Sequence, residues 1–146
     1  MKFWDSSAIV PLVVEEEETD YCIKTLSSDQ EMLVWCLSRL EVVSALCRRV
    51  RDGTLSEQYF QKAKRHLNDL IEHAYEVKAI EKVRHRALRL LEVHPLRAAD
   101  ACQLSSVLIA TQEDPDRLPI VCFDDRLKKA AFKEGFAVNP GKDESE

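Results

Sequence analysis

The chain has 146 residues, of which 45% are hydrophobic and 32% charged, a composition typical of one soluble globular domain. Its three glycines are too few for a glycine-rich phosphate-binding loop, which argues against P-loop and dinucleotide-binding functions. The net charge of −5 has the wrong sign for a general nucleic-acid binder, although Arg and Lys cluster locally within residues 48–51, 62–65 and 82–89.

Short apolar segments alternate with amphipathic ones along the chain, and they predict strands and helices respectively. The strands are expected at the residues before Asp5 and at 32–35, 75–79, 119–123 and 136–138. The helices are expected at 7–16, 17–26, 37–51, a long segment capped by Ser56, 80–93, 96–111 and 124–134. This order predicts an α/β fold, a three-layer α/β/α sandwich with a mainly parallel sheet of about five short strands. We expect one domain over residues 1–140 and a flexible acidic tail over residues 141–146.

Two acids follow predicted strands. Asp5 ends the first strand and Asp124 ends the strand at 119–123, and a predicted helix begins after each of them. Ligands of α/β sheets bind in the crevice outside the carboxyl ends of the strands, and the tips of neighbouring strands lie about 5 Å apart. Helix capping is the alternative explanation for either acid, because Asp is favoured at N-caps. Asp125 is expected to point away from Asp124 and is a candidate for a substrate contact or for support of the site.

Two further acids lie on predicted helices. Glu41 has small and apolar residues one turn away, so its charge needs a base such as Arg48, a hydrogen bond or a metal as partner. Asp100 falls near the start of its helix, where the helix dipole favours a negative charge. Arg97 is expected either to pair with Asp100 or to face an anionic substrate.

If these four acids meet, they require a cation, because four carboxylates cannot all stay ionised together without one. Oxygen ligands of high charge suit Mg²⁺, with Mn²⁺ as the alternative. Such a site activates a water molecule for displacement at phosphorus. Ser7 is placed to hold a metal-bound water.

In combination, these residues resemble PIN-domain nucleases, and their spacing is most similar to that of the VapC-type toxins of toxin–antitoxin pairs. The resemblance covers residues 1 to about 140 and rests on Asp5-Ser-Ser7, a helical Glu41, Leu96-Arg-Ala-Ala-Asp100-Ala, and Val121-Cys-Phe-Asp124-Asp-Arg-Leu127. It implies a Mg²⁺-dependent endoribonuclease, a hydrolase that acts on RNA as the toxin of a type II pair. It also implies that Asp5, Glu41, Asp100 and Asp124 bind the metal and catalyse cleavage, that the protein forms a homodimer, and that a cognate antitoxin blocks the site.

Cys122 departs from this family pattern, which commonly has Thr or Ser two residues before the last acid. A thiol orients a carboxylate or a water poorly compared with a hydroxyl. This departure and the acidic net charge favour the alternative hypothesis, a PIN-like binding or regulatory module with a decayed site. A phosphatase with Asp5 as nucleophile is disfavoured, because the position of the usual second acid holds Ser7.

The cysteines and the apolar segments indicate the cellular compartment of the protein and whether it associates with a membrane. The five cysteines have no Cys-x-x-Cys spacing and mostly have apolar neighbours, which indicates reduced thiols in a cytoplasmic protein. No apolar segment approaches the roughly 20 residues of a membrane span, so we expect no membrane association.

Overall fold

The computed structural model describes residues 1–141 and contains, within them, five strands and seven α-helices. The strands are β1 (Lys2–Trp4), β2 (Met32–Trp35), β3 (Tyr75–Val77), β4 (Ile120–Val121) and β5 (Val138–Asn139). The helices are α1 (Ser6–Val13), α2 (Thr19–Ser28), α3 (Ser38–Arg51), α4 (Glu57–Glu72), α5 (Ile80–Val93), α6 (Ala98–Ala110) and α7 (Asp125–Lys133). Each of these described helices is too short or too polar to cross a lipid bilayer.

The five strands form one parallel sheet in the order β3-β2-β1-β4-β5. The chain therefore builds outward from β1 in one direction through β2 and β3, and later returns to the other side of β1 to add β4 and β5. Trp4 of β1 pairs with Val121 of β4, so both strands end at the same edge. Ligand crevices form where the strand order reverses in this way, and here that point lies between β1 and β4.

Helices cover both faces of the sheet, because successive residues of a strand point to opposite sides. Phe3 packs with residues of α5, α6 and α7, such as Leu90, Leu104 and Leu127. Trp4, the next residue, packs on the other face with residues of α1, α3 and α4. The predicted three-layer α/β/α sandwich is confirmed.

Several element boundaries differ from the sequence-based prediction. Helix α1 ends at Val13 rather than residue 16, because the chain turns extended at Val14 and the Thr19 hydroxyl donates to the Pro11 carbonyl oxygen at 2.7 Å. Strand β4 is shorter than predicted, since the Phe123 N–H donates to the Ser7 hydroxyl rather than to a strand. Of the predicted acidic tail, residues 142–146 lie outside the described residues.

Candidate functional site

Asp5, Glu41, Asp100 and Asp124 share one electrostatic environment at the carboxyl edge of the sheet. Burial raises the pKa of Asp5 and of Glu41; the negative charge of Asp100 adds to the shift of Asp5, and the charges of Asp5 and Asp100 add to that of Glu41. Burial also raises the pKa of Asp100, and the charge of Asp124 adds to it. The four acids, which lie at the end of β1, in α3, in α6 and at the start of α7, are therefore linked electrostatically, although they come from distant parts of the chain.

Asp5 is both a helix cap and a buried member of this cluster. Its side chain is 3% exposed, and its Oδ2 atom accepts hydrogen bonds from the Ser7 backbone N–H at 3.1 Å and from the Ser7 hydroxyl at 2.5 Å. Burial raises the pKa of Asp5, with a smaller contribution from Asp100, against the opposing effect of the bonds from Ser7. Capping and cluster membership coexist because the cap uses Oδ2 and leaves Oδ1 without a hydrogen bond from any described residue.

Ser7 and Cys122 join the ends of β1 and β4. The Ser7 hydroxyl donates to Asp5 Oδ2 and accepts from the Phe123 N–H at 2.9 Å. The Cys122 sulfur lies 3.6 Å from Asp5 Oδ2 and accepts from the Asp124 N–H at 3.3 Å. Burial raises the pKa of the Cys122 thiol, which therefore stays protonated. The unusual thiol thus contacts the carboxylate of the first acid and only the backbone of the fourth.

Glu41 is held by a residue that sequence reasoning missed, Gln103 of α6. The Gln103 side chain is fully buried, and its Nε2 group donates to Glu41 Oε2 at 2.5 Å and to Ser38 Oγ at 3.0 Å. Among the described residues, Gln103 Oε1 is buried without a partner. The spacing of three residues from Asp100, which places Gln103 on the same helix face, was the available signal.

The charge of Glu41 is costly to the folded protein. Burial raises its pKa to about 7, the charges of Asp5 and Asp100 add to the effect, and the hydrogen bond from Gln103 opposes it. The expected alternative, a salt bridge with Arg48, is absent from the ion pairs of residues 1–141.

A cavity of about 400 Å³ opens beside Asp100 and Asp124. Asp124 caps α7 through its Oδ1 atom, which accepts from the Leu127 N–H at 2.9 Å. Burial and then the charge of Asp124 raise the pKa of Asp100, whereas the Arg97 backbone amide and the guanidinium groups of Arg97 and Arg126 lower it. The residues that line the cavity are Arg97, Ala99, Asp100, Asp124, Asp125 and Arg126.

Asp125, a candidate for a substrate contact or for support of the site, is exposed and lines the same cavity as Asp124. Arg126 was not anticipated, although it follows Asp124 by only two residues. Arg97 lies beside the cavity, as either of its two expected roles requires, without forming an ion pair with a described acid.

The donor chemistry of the cluster fits a hard divalent cation, since each acid offers oxygen and Asp5, Glu41 and Asp124 each use only one oxygen in hydrogen bonds to described residues. Within residues 1–141, no group of three or more His, Cys, Asp or Glu side chains is arranged so that it could hold a metal ion. The acids therefore influence one another electrostatically without forming a complete ligand set.

Comparisons with known proteins support the fold alone. The crystal structure of PAE2754 from Pyrobaculum aerophilum is similar to this chain with a TM-score of 0.62 and 19% sequence identity, over 94% of this chain and 81% of that one. Neither a protein-family model nor a curated protein matches the sequence.

Proposed function

We propose that this protein is a metal-dependent endoribonuclease whose site consists of Asp5, Glu41, Asp100 and Asp124. The observation that carries the proposal is that these four acids lie at the edge where the paired strands β1 and β4 end, and that three of them have a raised pKa. Carboxylates in a crevice whose pKa is raised by burial and by neighbouring charges are candidates for a functional site. Helix capping explains Asp5 and Asp124 singly, but it does not explain Glu41, which lies within a helix.

A divalent cation would compensate the repulsion among these acids. Asp5, Glu41 and Asp124 would offer the oxygens that are not already bonded, and Asp100 would complete the set. Mg²⁺ or Mn²⁺ suits such ligands, and when bound it would supply an activated water and charge stabilisation at a phosphodiester.

The rest of the site consists of groups that would hold these carboxylates in position. Ser7 and Cys122 fix one oxygen of Asp5, and Gln103 fixes one oxygen of Glu41. From the sequence, Ser7 was expected to hold a metal-bound water. In the structure its hydroxyl instead donates a hydrogen bond to the carboxylate of Asp5, so Ser7 would position a metal ligand.

The cations beside the acids support RNA as the substrate. Arg97 and Arg126 line the cavity that contains Asp100 and Asp124, so they could bind phosphates on either side of the scissile bond. Arginines placed in this way give a protein of net charge −5 local contacts for a polyanion, once a cation compensates the aspartates beside them.

The resemblance to VapC-type toxins also suggests a cellular role and partners for the protein. The protein would be the cytoplasmic toxin of a type II toxin–antitoxin pair, with a second copy of itself and a cognate antitoxin as partners. Exposed apolar side chains on α5, among them Leu88, Leu91 and Val93, are consistent with protein contacts on that helix.

A second candidate, a binding module with a decayed site, is favoured by one observation. The acids of residues 1–141 do not form a group that could hold a metal ion as they stand. This candidate predicts that a partner still binds after the acids are neutralised.

RNA cleavage by purified protein, with Mg²⁺ or with EDTA, separates the two candidates. Asp5→Asn removes one charge and keeps a capping side chain, so the protein is expected to stay folded and lose cleavage. Asp20→Asn is the matched control, because Asp20 lies in the first turn of α2, is exposed, and contributes to the pKa shift of none of the four acids. Metal-dependent cleavage by the parent and Asp20→Asn, but not by Asp5→Asn, supports the nuclease. Cleavage that persists in EDTA or in Asp5→Asn contradicts it.

A further inference from the structure

One face of α7 combines three lysines with an exposed aromatic ring. Phe132 is 72% exposed, and Lys128 and Lys129 precede it by four and three residues, so all three share this face. Lys133 follows directly. Phe132 is the most exposed of the large hydrophobic side chains among the described residues, so its ring is accessible to a ligand.

The lysines of this face are available for a ligand. No acid among residues 1–141 forms an ion pair with Lys128, Lys129 or Lys133, whereas Arg49 and Arg86 elsewhere are paired with glutamates. Their charges are therefore not neutralised by the described part of the chain.

This face adjoins the acid site at one residue, Asp125. It lines a groove of about 650 Å³ that runs between α7 and the end of the sheet beyond β5. Asp125 lines both this groove and the cavity beside Asp100 and Asp124. A strand that leaves the acid cavity past Asp125 would enter a groove that presents three lysines and the exposed ring of Phe132, with the buried ring of Phe136 at its base.

We infer that the α7 groove, formed by Lys128, Lys129, Phe132 and Lys133, binds the single-stranded RNA that flanks the scissile bond. This inference rests on the proposed function. The lysines contact phosphates and Phe132 stacks on one base. Stacking on a protein ring requires an unpaired base, so the groove selects single strands over duplexes.

The composition of the groove favours nucleic acid over a protein partner. Lysine is depleted in protein–protein interfaces, while aromatic rings among lysines are typical of surfaces that bind single strands. The ring here is surrounded by three lysines one turn or less away. Charge complementarity therefore selects a polyanion as the occupant.

The test is binding, measured in EDTA so that no cleavage occurs. A fluorescein-labelled oligouridine of about ten nucleotides is titrated with protein, and anisotropy is followed at several salt concentrations. Phe132→Ala is expected to weaken binding about 5- to 150-fold without changing the salt dependence, because it removes stacking and no charge. Phe132→Trp is expected to restore affinity.

A variant that lacks two of the lysines should change the salt dependence of RNA binding. Replacing both Lys128 and Lys129 with Ala is expected to lower the slope of log K against log salt by about 1.4, since each phosphate contact on a single strand contributes about 0.7. Tyr59→Ala combined with Lys62→Ala is the matched control. Tyr59 is 63% exposed and Lys62 is one turn away, but their groove includes none of the four acids.

The outcomes separate this inference from the proposed function. Oligouridine binding that depends on Phe132 but not on Tyr59 supports the inference, even if no RNA is cleaved. Metal-dependent cleavage together with unchanged binding by Phe132→Ala overturns the inference and leaves the nuclease intact. Equal affinity for duplex RNA, or loss of self-association rather than of RNA binding in Phe132→Ala, also overturns it.

Discussion

Glu41→Gln is expected to stabilise the metal-free protein at pH 8. The pKa of Glu41 rises from 4.5 to about 7 on folding, mainly because of burial and the charge of Asp5. A carboxyl whose pKa is raised binds its proton more tightly in the folded state, so its charge lowers the free energy of unfolding as pH rises. The penalty grows between pH 4.5 and 7 and is complete above pH 7.

The magnitude follows from this difference in pKa. It corresponds to about 3 kcal/mol, and the partial exposure of Glu41 to solvent reduces this to about 1 to 2 kcal/mol. Gln keeps the shape of the side chain and an oxygen that can accept from Gln103 Nε2. The substitution therefore removes the charge with little change in packing.

Urea unfolding followed by circular dichroism in EDTA measures this effect. At pH 8 the midpoint of Glu41→Gln should exceed that of the parent by about 0.5 to 1 M. At pH 4.5 the two midpoints should differ much less, because folded Glu41 is then protonated. Asp20→Asn, which changes an exposed acid, should not shift the midpoint at either pH. A Glu41→Gln protein no more stable than the parent at pH 8 would refute the argument that Glu41 is a strained charge.

Three further predictions concern the groups around the acids. Ser7→Ala should lower stability by about 1 to 3 kcal/mol in thermal unfolding, because Asp5 and the Phe123 N–H both lose a partner; an unchanged midpoint would contradict this. Cys122→Ser should lower the pKa of Asp5, measured by NMR titration, since a hydroxyl is the stronger donor; a higher pKa would count against it. Arg126→Ala should raise KM for RNA and leave kcat nearly unchanged. A fall in kcat with no change in KM would contradict a role of Arg126 in binding substrate phosphates.

The fold was predictable because strands and helix starts are encoded by short stretches of neighbouring residues. Apolar segments such as Met32–Trp35 match a strand residue for residue, and the serine at position 56 caps α4 as expected. The order of the strands was not predicted, and the structure places β1 at the centre of the sheet, paired with both β2 and β4. Helix ends were less predictable, because contacts such as that of Thr19 with Pro11 depend on the folded chain.

The candidate site was only partly predictable, for the same reason. Asp5 and Asp124 follow strands, so topology alone brings them to one edge. Gln103 supports Glu41 across 62 residues of sequence, and only packing of α6 against α3 shows this. The groove at Phe132 likewise depends on how α7 lies beside β5, which the helix pattern does not reveal.

Calorimetric titration with Mn²⁺ tests the central claim, that the four acids form one divalent-cation site. Because the pKa of Glu41 is about 7, ion binding at pH 7 should release about half a proton from that group, which titrations in two buffers of different ionisation enthalpy would reveal. We predict saturable binding with proton release by the parent and by Asp20→Asn, and its loss in Asp5→Asn. Absence of binding by the folded parent, or equal binding by Asp5→Asn, would contradict the account.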